Sequence, residues 1–131
     1  MAITHSTAMR NTLADAVDNY INSTGSGTAA GLMVFQNAAG SVLAQIALEN
    51  PAFGAASAGQ VSLAMGAGKS STNAQSSSDS TCTKFEIRER DGNAVIFGSV
   101  GTTGSDINLS STTIGTGDTV TISSLTYTAP A

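Results

Sequence analysis

The stretch TCTKFEIRERDGNAVIFGSV, residues 81–100, decides the fold. Two runs, Thr81 to Glu89 and Ala94 to Val100, flank the tetrapeptide Arg90-Asp91-Gly92-Asn93. Large apolar and polar residues alternate in the first run with the period of two that marks a half-buried strand. Asp-Gly in turn tolerates the positive φ of a tight hairpin. The pattern predicts an antiparallel hairpin with Phe85 and Ile87 facing a core. Cys82, Lys84, Glu86 and Arg88 then share the other face, which makes Cys82 an exposed or interfacial thiol.

Further strands are predicted on both sides, each bounded by Gly, Asn, Asp, Ser or Pro. Leu32 to Gln36 and Val42 to Leu48 precede an Ala-rich loop, and Gln60 to Met65 follows it with Val61, Leu63 and Met65 on one face. Gly66 to Ser80 holds no large apolar residue and reads as a long exposed loop. Ile107 to Leu109 is a short strand and Thr119 to Thr128 a long final one. The apolar parity of that last strand shifts near Ser123-Ser124, as at a bulge or a change of packing partner.

Before the strands, residues 6–22 read as a helix. Met9, Leu13, Ala16, Val17, Tyr20 and Ile21 recur at helical spacing, and Ser6 or Thr7 can cap the first turn. Arg10, Asp15, Asp18 and Asn19 fall on the opposite face and read as ordinary solvated helix. One helix with seven or eight short strands calls for a sandwich, a jelly roll or a small barrel, because an open sheet leaves its edges exposed. The helix is expected to lie across one end of the β-structure or to reach a neighbour.

Composition bounds the function. The 131 residues suit a single domain, a helix over 6–22 and a β-sandwich over 30–128. A formal charge of −4 argues against a nucleic-acid binder, which needs a basic face. The start of the chain lacks a basic segment followed by an apolar one, and no stretch is long enough to span a bilayer, so a soluble protein made in the cytoplasm is expected. With one cysteine, no disulfide can close within the chain, and stability must come from packing or association.

The candidate chemistry is thin. Gly66-Ala67-Gly68-Lys69-Ser70 resembles the end of a phosphate-binding loop, but Leu63 stands where the first glycine belongs and a serine-rich run replaces the helix. His5 has no second histidine and no nearby acid or thiol to complete a metal site. Cys82 has no base beside it. Asp91, Asp106 and Asp118 sit in glycine-containing turns, where the side chain caps backbone, and no Asp-x-Asp-x-Asp-Gly run offers a calcium loop. A sugar-binding module would show exposed Trp or Tyr; the chain has no Trp, and Tyr20 and Tyr127 both lie in apolar patterns. No nucleophile and base pair can be named, so the expectation is a protein that is not an enzyme and uses no metal or cofactor. Phe53, alone among small residues in the loop after Pro51, suits a plug for its own fold, or else insertion into a neighbour.

ITHSTAMRNTLADAVDNYI at 3–21, NPAFGAASAGQVS at 50–62 and RDGNAVIFGSVGTTGSDINLSSTTIGTGDTVTISSLTYTAP at 90–130 resemble a group of small virion proteins from tailed bacteriophages. The resemblance implies an antiparallel β-sandwich, jelly roll in topology, that assembles as dimers or trimers. It implies a head decoration or cement protein on the outer capsid surface, with the major capsid protein as partner and no catalytic residues. A tail or fibre adaptor, or a host-surface binding module, is the alternative. Met9, Leu13, Tyr20, Pro51, Phe53 and Cys82 are the candidate interface residues.

Overall fold

The hairpin forms as its sequence predicts. In the computed structural model, β5 (Lys84–Arg88) pairs antiparallel with β6 (Ala94–Gly101), joining Phe85 to Gly98 and Ile87 to Ile96. The Glu89 and Asn93 backbones close the turn, where Gly92 takes φ 92°. The Glu89 side chain holds the same turn from inside, its Oε1 accepting from the Asp91 and Asn93 amides at 3.1 and 2.7 Å. Gly98 is required for a different reason: a Cβ there would stand 2.3 Å from the Phe85 ring, so the ring lies across β6 only because that position has no side chain.

Around the hairpin, β1 (Leu32–Gln36) pairs with β5 and with β2 (Val42–Ala47), both antiparallel, and β7 (Ile107–Asn108) joins β6 in parallel. The result is a five-stranded mixed sheet of order β2-β1-β5-β6-β7. Two ribbons complete the β-structure: β3 (Gln60–Ser62) with β9 (Thr126–Thr128), and β4 (Lys69–Thr72) with β8 (Thr119–Ile122). The helix α1 (Thr7–Ser23) is capped by Ser6, whose side chain accepts from the Met9 amide at 3.2 Å. The chain is therefore mainly β with one helix. The residues described are 3–27, 30–63, 69–72, 81–115, 117–122 and 125–130.

One core joins α1, the five-stranded sheet and the strands β3 and β8 of the ribbons. Met33, Phe35, Phe85 and Ile87 of the sheet pack in the same buried cluster as Phe53, Val61, Leu63, Val120 and Ile122, and Ala14 and Ile21 of α1 join them. Strand alternation accounts for the inward set, since cross-strand partners share a face.

Three expectations change. Within the polar run from 66 to 80, Lys69–Thr72 is a strand, because Val120 and Ile122 of β8 bring a partner edge to it and supply the apolar side chains that the run lacks; the rest of the run lies outside the described residues. The single final strand is two, β8 and β9, which pair with different partners, the change of packing partner that the parity shift allowed; Ser123 and Ser124, where the bulge reading falls, lie outside the described residues. Cys82 is buried, with 1% of its surface exposed. The alternation that placed it outside stops at Lys84: ahead of β5 the chain turns away to pair with another segment, Thr81 bridging Thr113 and the Cys82 amide donating to Thr112 O at 2.7 Å. Burial pushes the Cys82 thiol above its ordinary range, and its Sγ donates weakly to Lys84 O at 3.7 Å.

Candidate functional site

The helix docks by its polar side. Asn11, Asp15, Asp18 and Asn22 recur at offsets of 0, 4, 7 and 11, which places them on one face of α1. Each accepts a hydrogen bond from a backbone amide of the loop that follows Pro51. Ala52 N donates to Asn22 Oδ1 at 2.8 Å and Phe53 N to Asp18 Oδ1 at 2.9 Å. Ala56 N donates to Asp15 Oδ1 at 3.1 Å and Gly59 N to Asn11 Oδ1 at 2.7 Å. Asn22 Nδ2 also donates to Asp18 Oδ1 at 2.9 Å, which orients the asparagine so that its oxygen faces Ala52. Four short acceptors thus supply a rung each for a loop that runs antiparallel to the helix and has no strand partner for these amides.

This arrangement corrects the reading of Asp18 as solvated. It is 8% exposed, and Asn22 is buried beside it. A buried amide without an acceptor costs about 1–3 kcal/mol, so the ladder makes a loop of small residues tolerable against the core. Phe53 then fills the interior at 1% exposure, the intramolecular plug of the two readings open to it, and its backbone bridges Leu63. Phe53 and Cys82 are therefore not presented to a partner by this fold.

Of the apolar stripe, Ile21 is buried in the core and Leu13 and Val17 pack against it, so only its far edge faces out. Met9, Leu13, Ala16 and Tyr20 occupy the side of α1 opposite Asp18. Met9 is 46% exposed and Tyr20 54%, Ala16 is exposed and Leu13 half-buried. Pro51 is exposed at the start of the docked loop. Another exposed apolar residue lies elsewhere: Phe97 of β6, 70% exposed, on the sheet face opposite Phe85 and Ile87. It lines a groove of about 270 Å³ together with Phe53, Phe85, Ile96, Leu125 and Tyr127.

The aspartates of the turns bind backbone, two of them at a distance. Asp118 Oδ2 accepts from Gly115 N within its own turn at 2.8 Å. Asp106 Oδ2 accepts from Ser99 N at 2.8 Å and from Ser99 Oγ at 3.1 Å, tying the loop after β6 back to that strand. Asp91 Oδ1 accepts from Ser26 N and Gly27 N at 2.9 and 2.8 Å, which clamps the segment leaving α1 onto the hairpin turn. These amide donors hold the Asp91 and Asp106 carboxyls below the usual carboxylate range. A carboxyl with a lowered folded pKa contributes stability that is present above its unfolded value and lost as pH falls through the folded one. Stability is therefore expected to hold from pH 7 to about 5 and to fall below about 4. The difference in melting temperature between the wild type and Asp91→Ala should be largest near neutrality and shrink in acid; a difference that grows in acid contradicts this.

Among the described residues no three His, Cys, Asp or Glu side chains gather as a metal site, and no helix is long and apolar enough to cross a membrane. His5 is exposed. The inward polar stripe was not found by the sequence reading, although its signal was present in four Asn or Asp residues at helical spacing. Comparison with known protein families, with characterised proteins and with solved structures gives no match.

Proposed function

We propose that this chain is a capsid decoration protein that binds the outer surface of a phage head, contacts the major capsid protein, and stabilises the shell by bridging its subunits. The observation that carries the reading is the exposure of large apolar side chains on two separate elements, Met9 and Tyr20 on α1 and Phe97 on β6. Bridging needs at least two adhesive surfaces on one body, one toward the shell and one toward the next copy. Exposed apolar residues on rigid elements are the ordinary material of such contacts. In this reading Phe97 and the groove beside it take an apolar side chain of the capsid, and copies of the chain associate as a trimer or dimer. Such a protein works by adhesion alone, as a component of the virion.

The fold belongs to the same proposal. The ribbons β3–β9 and β4–β8 act as the second layer of a β-sandwich over the five-stranded sheet, as a jelly roll would, and the core shared between them supports that layering.

Particles assembled with and without the chain, heated in parallel, test the function. Particles that carry it should release their genome at a higher temperature, and Phe97→Asp should remove both the binding and the gain. Identical rupture temperatures, or full binding by the Phe97→Asp protein, would contradict the proposal.

A further inference from the structure

The core opens along the line between β6 and β9. Ile96 and Tyr127 share a face with their buried cross-strand partners Ile87 and Val61, yet both are only half-buried, as is Leu125 beside buried Leu63. The groove of about 270 Å³ runs there, with Ile96 and Phe97 on one side and Thr126, Tyr127 and Thr128 on the other. Both sides present unpaired backbone. In an antiparallel ladder successive residues turn their N–H and C=O to opposite edges. The Val100 amide donates to Thr83 O, so Gly98 and Ile96 turn to β5 while Phe97 and Ser99 turn to the free edge. β7 pairs that edge only at Val100 and Gly101, and Asp106 Oδ2 takes the Ser99 amide, which leaves the Phe97 N–H and C=O without a partner among the described residues. In β9, Leu125 O and Ala129 N bond to β3 and to Gly59 ahead of it, so the N–H and C=O of Thr126 and Thr128 turn away from β3 and have no partner among the described residues either. We infer that the groove takes an extended segment of a partner polypeptide as one added strand, hydrogen-bonded to β6 on one side and β9 on the other. Its alternate aliphatic side chains sit on Ile96, Leu125 and Tyr127, and a Lys or Arg of the segment lies beside Asp106.

Backbone chemistry and charge select this occupant. A small apolar ligand would leave the facing N–H and C=O groups unmet, and a helix spends its own backbone groups internally. An extended chain alone offers donors and acceptors at strand spacing to both edges, while its side chains alternate between the open core and the outer face beside Phe97. Asp106 is the one charged residue among the described residues that line the groove, and the chain carries nine acids against five bases. A basic segment is therefore favoured over a second copy of this acidic chain. The added strand would lie in line with short β7 and join the five-stranded sheet to the β3–β9 ribbon, closing the core where it is open.

The inference rests on the capsid reading only for the identity of the partner; the mode of binding is tested apart from it. The probe is the capped peptide acetyl-KTVTITVT-amide, added to the full chain and followed by amide hydrogen exchange in NMR. At saturation the Phe97, Thr126 and Thr128 amides should exchange about tenfold more slowly, the protection that one paired bond gives. The same peptide N-methylated at alternate residues, which cannot donate to one of the two edges, should bind about tenfold more weakly. Thr128→Pro removes an outward N–H that β3 does not use, as an edge strand tolerates, and should weaken the peptide with the circular dichroism of the chain retained. No binding, binding indifferent to N-methylation, or the same amides protected without peptide as the chain is concentrated, which would place a second copy in the groove, overturns the inference. Capsid attachment that survives both saturating peptide and Thr128→Pro would overturn it while leaving the capsid proposal standing. A peptide held as a strand by a chain that ignores capsids would support the inference and sink that proposal.

Discussion

Asp18→Ala is expected to lower the unfolding free energy by about 3 kcal/mol, the combined loss of a charge-assisted bond and an orphaned amide, and the melting temperature by about 10 °C. The reason is local. Asp18 Oδ1 receives both Phe53 N and Asn22 Nδ2, each at 2.9 Å, in a setting where water does not replace it. Alanine leaves the Phe53 amide buried without an acceptor and releases Asn22, whose oxygen holds Ala52. Asp18→Asn keeps an acceptor and should cost about 1 kcal/mol, the value of the lost charge assistance. Urea unfolding of the three proteins measures this. A change below about 0.5 kcal/mol for Asp18→Ala, the usual effect of an exposed helix residue, would mean that the polar ladder is not what holds the loop.

Phe53→Ala is expected to cost more, about 3–5 kcal/mol, as a large aromatic removed from a closed interior leaves a cavity that the surroundings only partly fill. Phe53 is among the largest fully buried side chains, in one cluster with Leu63, Phe85 and Val61. The two substitutions should not add. Once the Phe53 ring is gone the loop can lift and its amide find water, so the double variant should fall short of the sum by about 1 kcal/mol, in the range of coupled neighbours. Full additivity would show that the side chain and the backbone of Phe53 are held independently. An interfacial Phe53 would behave differently again: the variant would lose assembly and keep the stability of the single chain.

These two residues mark where sequence reading succeeded and where it fell short. Period-two alternation located the hairpin and the inward positions of Phe85 and Ile87, because a strand's faces are fixed by parity and the partner is local. The helix was found for the same reason, but which side of it faces the core was read from hydrophobicity alone. α1 meets a loop whose amides lack partners, and such a loop selects acceptors over apolar groups. Asn and Asp are poor helix formers, and four of them on one face carry a propensity cost that a solvated face, built more cheaply from Glu, Lys or Arg, would not show. That cost was the legible sign. Cys82 and the strand at Lys69–Thr72 were beyond local reading, since both depend on partners far along the chain, Thr112 and β8. The exposure of Phe97 was equally hidden, because in the continuous apolar run from Ala94 to Phe97 parity alone does not single it out.

Electron microscopy of the intact particle, with and without this chain, tests most directly whether it acts by adhesion to a shell. The difference density should recur over the whole outer face of the head, with the Phe97 face of each copy toward the capsid. Density confined to a few copies on the tail, or no difference between the two particles, would contradict it.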